Sequence, residues 1–168
     1  MPQSRRLVVA PESFAYFDEM HGDGAPPAEL TFGAATSGTS ILMLRFPRSW
    51  TSIKQIESAF IVLEPSPGAT PNPTPVPLEL WRLNDSASLT KASGSFPSVG
   101  GPSDASAQLV FTPPQPARID VTQLVQDAER DRATRVGVVM RASALEGTGA
   151  RYASGTLGRA PSLELYVK

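Results

Sequence analysis

Of the side chains that carry most covalent and metal chemistry, this sequence of 168 residues holds one histidine, His21, and no cysteine. The missing cysteine excludes disulfides, thiolate catalysis and cysteine-ligated zinc or iron–sulfur sites. His21 stands in "DEMHGDG" beside Asp18, Glu19 and Asp23, which are cation ligands by type. Their spacing fits neither an EF-hand loop nor a zinc site, so the expectation is an exposed loop histidine. Serines are many, but no GxSxG elbow occurs, and one histidine leaves almost no material for a nucleophile–base triad. "GSFPSVGGPS" (94–103) lacks the GxxxxGK[ST] of a phosphate loop. A glycosidase needs two carboxylates roughly 5–10 Å apart across a cleft. The sixteen acids show no spacing that selects such a pair. No catalytic residue and no cofactor is therefore expected. Asn84, Asp85 and Asp104 are loop oxygens that could take Ca²⁺, although Asn-Asp pairs are first of all turn formers.

Recognition is better supplied than catalysis. Sugar binding uses flat aromatic faces with polar groups that fix hydroxyls or carboxylates. Trp50, Trp81, Tyr152 and Tyr166 are the aromatic candidates. Arg45, Arg82, Arg141 and Arg151 lie on or beside expected strands and could meet carboxylates in bidentate fashion. Seven of these eight positions, Arg45, Trp50, Trp81, Arg82, Arg141, Arg151 and Tyr152, serve equally as candidate partner contacts. Both tryptophans would also suit a core.

The elements that must position these groups are mostly strands. Seventeen prolines and thirteen glycines point to many turns and an all-β chain. Apolar alternation marks strands at 5–19 (broken by Pro11), 29–34, 41–46, 56–64, 78–84, 108–112, 117–120, 134–143, 149–155 and 162–168, about ten in all. "ILMLRF" (41–46) and "AFIVL" (59–63) are apolar on both faces, so something must cover the outer one: a helix, a loop or another subunit. "PSPGATPNPTPVP" (65–77), with six prolines, reads as an exposed connection, and 85–107 as a long small-residue loop. One helix is expected at about 121–131. Val121, Leu124, Val125 and Ala128 form its stripe, and Asp120 with Gln123 forms a capping box.

Length suits a single domain over 1–168. The net charge of −1 gives no field to steer the chain to nucleic acid or an anionic membrane. No apolar run suffices for a membrane span. The only apolar run near the start, Leu7 to Ala10, is too short for a secretory signal. The expected setting is the surface of a particle assembled in the cytosol. An extracellular setting would require a non-classical export route or a trimmed signal.

Three blocks carry a resemblance: "LTFGAATSGTSILMLRFPRSWTSIKQIESAFIVLE" (30–64), "RIDVTQLVQDAERDRATRVGVVMRA" (118–142) and "RYASGTLGRAPSLELYVK" (151–168). In order and spacing they resemble the extracellular modules named for the letters DNRLRE, which are related to carbohydrate-binding modules of polysaccharide lyases. The resemblance implies a β-jelly roll with one short helix between late strands, and recognition of acidic polysaccharide. Two functions follow as expectations. The first is a non-catalytic structural or assembly subunit, decorating a virion, tail-like particle, spore or cell surface. It ranks slightly ahead, because the chain has doubly apolar strands, long loops and no catalytic set. The second is a carbohydrate-binding module. The expected partners are other protein subunits, polysaccharide, or both.

Overall fold

The computed structural model describes residues 3–22, 27–50, 55–84, 89, 99–104, 107–156 and 158–168, with backbone alone at 72, 73 and 99–104. Its elements are β1 (Arg5–Val9), β2 (Ser13–Phe17), β3 (Glu29–Phe32), β4 (Ser40–Pro47), β5 (Ile56–Leu63), β6 (Asn72–Pro77), β7 (Glu79–Leu83), β8 (Val99–Asp104), β9 (Gln108–Phe111), β10 (Ala117–Asp120), α1 (Thr122–Arg130), β11 (Arg135–Ala142), β12 (Ala150–Ala153) and β13 (Ser162–Val167).

The strands form a four-stranded sheet, β1-β13-β5-β10, and a five-stranded sheet, β2-β4-β11-β7-β8. All the described pairings are antiparallel. The first strand lies beside the last, and the chain crosses repeatedly between the two sheets, with β7 and β8 adjacent in one of them. With β2 set aside as an added edge, this is the strand order of a jelly roll. The pleat decides what lies between the sheets. Leu42, Leu44 and Phe46 of β4 and Val136, Val138 and Met140 of β11 point inward. There they meet Ala59, Ile61 and Leu63 of β5 and Leu163, Leu165 and Val167 of β13. Each large side chain buried this way contributes about 1.5–3 kcal/mol.

Two strands lie where loops were expected. The proline-rich segment contains β6, which pairs with β9 in a small separate sheet. Its Val76 and the following Leu78 are buried, so the segment is not merely an exposed connection. It stays out of both main sheets, since proline has no N–H for a central ladder. Strand β8 forms the edge of the five-stranded sheet, with two register shifts against β7. Its "VGGPSD" has Val99 alone among the β-branched and aromatic residues that mark strands.

Helix α1 joins the edge of one sheet to the middle of the other. Its stripe, Val121, Leu124, Val125 and Ala128, is buried as expected. The capping box does not form. Asp120 still belongs to β10, and the helix begins at Thr122. Asp120 accepts from the Thr122 N–H at 2.9 Å, while Gln123 donates forward to Asp127 at 2.8 Å. The entrance is tied to β5 instead: Val121 N–H donates to Ala59 O, and Ala59 N–H donates to Thr122 Oγ1.

At the other end Ala133 N–H bonds Ala128 O and Arg132 N–H bonds Glu129 O, both at 3.0 Å. This is the Schellman pattern, with Arg132 in the left-handed position (φ 53°) where glycine is favoured. Replacing it by glycine removes the Cβ penalty. Arg132→Gly is expected to raise stability by about 0.5–1 kcal/mol, read as a higher denaturant midpoint with an unchanged slope. A lower midpoint would count against the assignment.

Candidate functional site

The fold separates the residues that the sequence singled out. Trp50 is core, 2% exposed, and its indole N–H donates to Glu129 Oε1 at 2.5 Å. Arg48 reaches the same carboxylate at 3.4 Å and donates to Ala133 O, so this corner pins α1 to the end of β4. Tyr152 is also core, edge-on to Phe111 with ring centroids 5.2 Å apart. Burial raises the pKa of its hydroxyl, which has no hydrogen-bond partner. Arg82 is paired with Asp131 at the end of the helix, and Arg151 stands 3.7 Å from Glu29. Trp50 and Tyr152 therefore offer no binding surface. Strand alternation could not reveal this, because an aromatic suits a core and a groove alike.

Arg45, Trp81 and Arg141 do share one surface, the outer face of the five-stranded sheet. By register, one row there holds Phe17, Ile41, Arg141 and Glu79, and the next Ala15, Met43, Val139 and Trp81. Ala15, Phe17, Met43, Leu83 and Val139 are all buried, with Ile41, Trp81 and Leu89 against them. Leu89 lies beyond β7, so the chain itself contributes to covering the apolar outer face of β4. Arg45 is buried too, donating to Asn84 O at 3.2 Å. A pocket of about 180 Å³ lies at the Arg141–Glu79 end.

The outer face of the four-stranded sheet is different, and only its Tyr166 was singled out from sequence. Register places Arg6 beside Tyr166, and Val8, Glu164, Phe60 and Asp120 in one row. Glu164 points outward from β13, yet its side chain is only 3% exposed, because longer side chains lie over it. Arg6 approaches Glu164 Oε2 at 2.7 Å and Arg118 approaches Oε1 at 2.6 Å. The Tyr166 hydroxyl donates to Oε1 at 2.8 Å. Burial by itself would raise the Glu164 pKa, but the bonds from Arg6, Tyr166 and Arg118 outweigh it and hold the pKa at about 2. The Arg118 guanidinium lies 4.7 Å from the Phe60 ring centroid, within cation–π range. Phe60 meets Tyr166 edge-on at 6.3 Å. The result is a locked layer of two rings and two guanidiniums over one carboxylate. Arg6 and Arg118 keep 59% and 42% of their side-chain surface exposed. Alternation in "SLELYVK" and "ARID" gave the outward positions; nothing in sequence said that four distant strands bring them together.

His21 is not simply exposed. Its Nδ1 is 2.9 Å from Asp18 Oδ1, and the backbone N–H groups of Met20 and His21 also donate to that oxygen. Tyr16 donates to Asp18 Oδ2 at 2.8 Å. Burial opposes ionisation of Asp18, but these bonds together lower its pKa. Asp18 thus organises the turn after β2. Among the described residues no three His, Asp or Glu side chains are grouped to hold a metal ion. Asp23, Asp85, the Asp104 side chain and most of the 85–107 loop lie outside the described residues. Among the described residues no helix is long and apolar enough to cross a membrane. Compared with known proteins, the chain matches no family model and no curated protein.

Two measurements probe these groups. The folded pKa of Glu164, about 2, lies below the ordinary value of 4.5, so its stabilisation is complete above about pH 4.5 and is lost as pH falls towards 2. Glu164→Gln should therefore flatten the stability–pH curve between those values and cost on the order of 2 kcal/mol at pH 7. An unchanged acid limb would show that Glu164 is not its source. Tyr152→Phe removes a buried hydroxyl that has no partner, and stability should stay level or rise by about 1 kcal/mol. A loss above that size would mean the hydroxyl is satisfied in solution.

Proposed function

We propose that this chain is a non-catalytic jelly-roll binding module that recognises acidic polysaccharide on the outer face of its four-stranded sheet. The observation that carries the reading is the Phe60–Arg118–Tyr166–Arg6 layer held over Glu164. Its two arginines outnumber the one buried carboxylate, and their side chains are exposed. Glu164 fixes each from below, so less side-chain freedom is lost when a sugar carboxylate binds from above. The half-buried rings of Phe60 and Tyr166 offer apolar area to the C–H faces of sugar rings. The resemblance to DNRLRE-type modules supports the same reading.

Affinity electrophoresis and calorimetry against alginate, polygalacturonate and a neutral β-glucan test it. The acidic polymers should bind, with salt-sensitive affinity, and the neutral one should not. Arg118→Ala and Arg6→Ala should each weaken binding about tenfold or more, while Arg130→Ala on the helix leaves it unchanged. Failure of every acidic polymer to bind, or indifference to both platform variants, would sink the proposal.

A second reading, a structural or assembly subunit, is favoured by one observation. Val8, on the edge strand β1, and Val110, on β9, are 56% and 57% exposed. The strongest argument for a partner in the sequence was the apolar outer face of β4. Met43 on that face is buried in a cluster with Leu89 of the same chain against it, which weakens that support for a partner. Sedimentation velocity over a wide concentration range decides: a stable trimer, ring or filament supports assembly, and a monomer throughout removes it.

A further inference from the structure

We infer that the pocket at the β7–β11 end of the other sheet is a separate site for a single neutral pyranose ring. It deepens the binding-module reading and rests on it for the ligand class alone. The pocket is lined by Pro77, Leu78, Glu79, Arg141, Ser143 and Leu145. Its 180 Å³ falls below the roughly 300–1,000 Å³ of sites for drug-sized ligands, so it suits one ring and no oligomer. Pro77 and Leu145, with the buried Leu78 behind them, give an apolar wall for the C–H face of a sugar.

The polar side selects against charge. Glu79 and Arg141 are register partners across the two strands, with Arg141 Nη1 and Glu79 Oε2 3.8 Å apart. That separation is beyond hydrogen-bond length but short enough for neighbouring ligand hydroxyls to engage both groups. A hydroxyl donates and accepts, so vicinal hydroxyls can give a hydrogen to the carboxylate and take one from the guanidinium. A sugar carboxylate would satisfy Arg141 and meet the negative charge of Glu79. The two faces thus differ in kind. Over Glu164 two arginines face one buried acid; here, among the described residues that line the pocket, Arg141 stands with Glu79, which is itself half exposed. Ser143 adds a third polar group on the rim.

Amide chemical-shift titration of the full chain tests this with methyl glucoside, galactoside, mannoside and glucuronoside. At least one neutral pyranoside should shift residues 77–79 and 141–145, and the glucuronoside should bind more weakly than the glucoside. Arg141→Ala should weaken the neutral ligand about tenfold. Glu79→Gln, which keeps the side chain's shape, should weaken it as well but strengthen the glucuronoside. The absence of shifts in these segments with any neutral pyranoside overturns the inference, as does a glucuronoside that binds the native pocket best. Arg118→Ala separates the two sites. If it abolishes these shifts, they belong to the sheet-face layer and the pocket proposal fails. If pyranosides bind here while no acidic polymer binds the chain, the pocket stands and the sheet-face reading falls.

Discussion

Every strand of this chain sends alternate side chains to opposite faces, and each main sheet hides one face against the other. That constraint of the pleat fixes the rest. Once Leu42, Leu44 and Phe46 turn inward, Ile41, Met43 and Arg45 must turn out. Once Leu163 and Leu165 turn inward, Glu164 and Tyr166 must turn out. A single-residue slip of either strand would exchange core for surface. The long inward list, from Ile61 and Leu63 to Val136 and Val138, holds both registers in place.

The two outer faces solve the same problem differently. On the five-stranded sheet the outward residues are mainly apolar, and exposure of such a patch is costly. Met43 and Val139 are sealed, with Trp81 and Leu89 beside them. Sealing takes Met43 and Val139 out of use as a binding surface, while Glu79 and Arg141 at one end stay partly exposed. On the four-stranded sheet the outward residues are long and charged. Glu164 is desolvated there not by a covering loop but by Arg6, Arg118 and Tyr166, the groups that neutralise it. A carboxylate that had lost water without such partners would have its pKa driven up; here it is held down.

Most of the architecture was legible in the sequence. The apolar alternation located eleven of the thirteen strands, and the stripe Val121–Leu124–Val125–Ala128 located the helix. The two missed strands, β6 and β8, consist of Pro, Gly, Ser, Thr, Asn, Asp and Val and are held by position rather than propensity. The helix cap was misplaced by one residue, because Asp120 looks like a cap and is still a strand residue paired with Phe60. The site was much less legible. Residue type picked out tryptophans and strand arginines, but Trp50 is spent on docking the helix and Arg45 on Asn84. Arg6, Phe60, Arg118 and Glu164 lie on four strands, and only the order β1-β13-β5-β10 makes them neighbours.

That order also explains why the sheet-face layer is rigid without being deep. A long arginine on a wet surface ordinarily loses much rotamer freedom when it binds a ligand. Arg118 is already confined on three sides: Glu164 holds one nitrogen, the Phe60 ring lies beneath the guanidinium, and the Tyr166 hydroxyl stands 3.4 Å away. The restraints come from β5 and β13, strands that the core fixes. The geometry of the layer is therefore inherited from the interior and not negotiated at the surface. Arg141 meets Glu79 across the ladder at 3.8 Å, beyond hydrogen-bond length. The difference matters for recognition. A confined pair of guanidiniums favours a ligand whose charges recur at fixed spacing, as along a polymer. A looser ion pair in a small pocket can adjust to the hydroxyls of one ring.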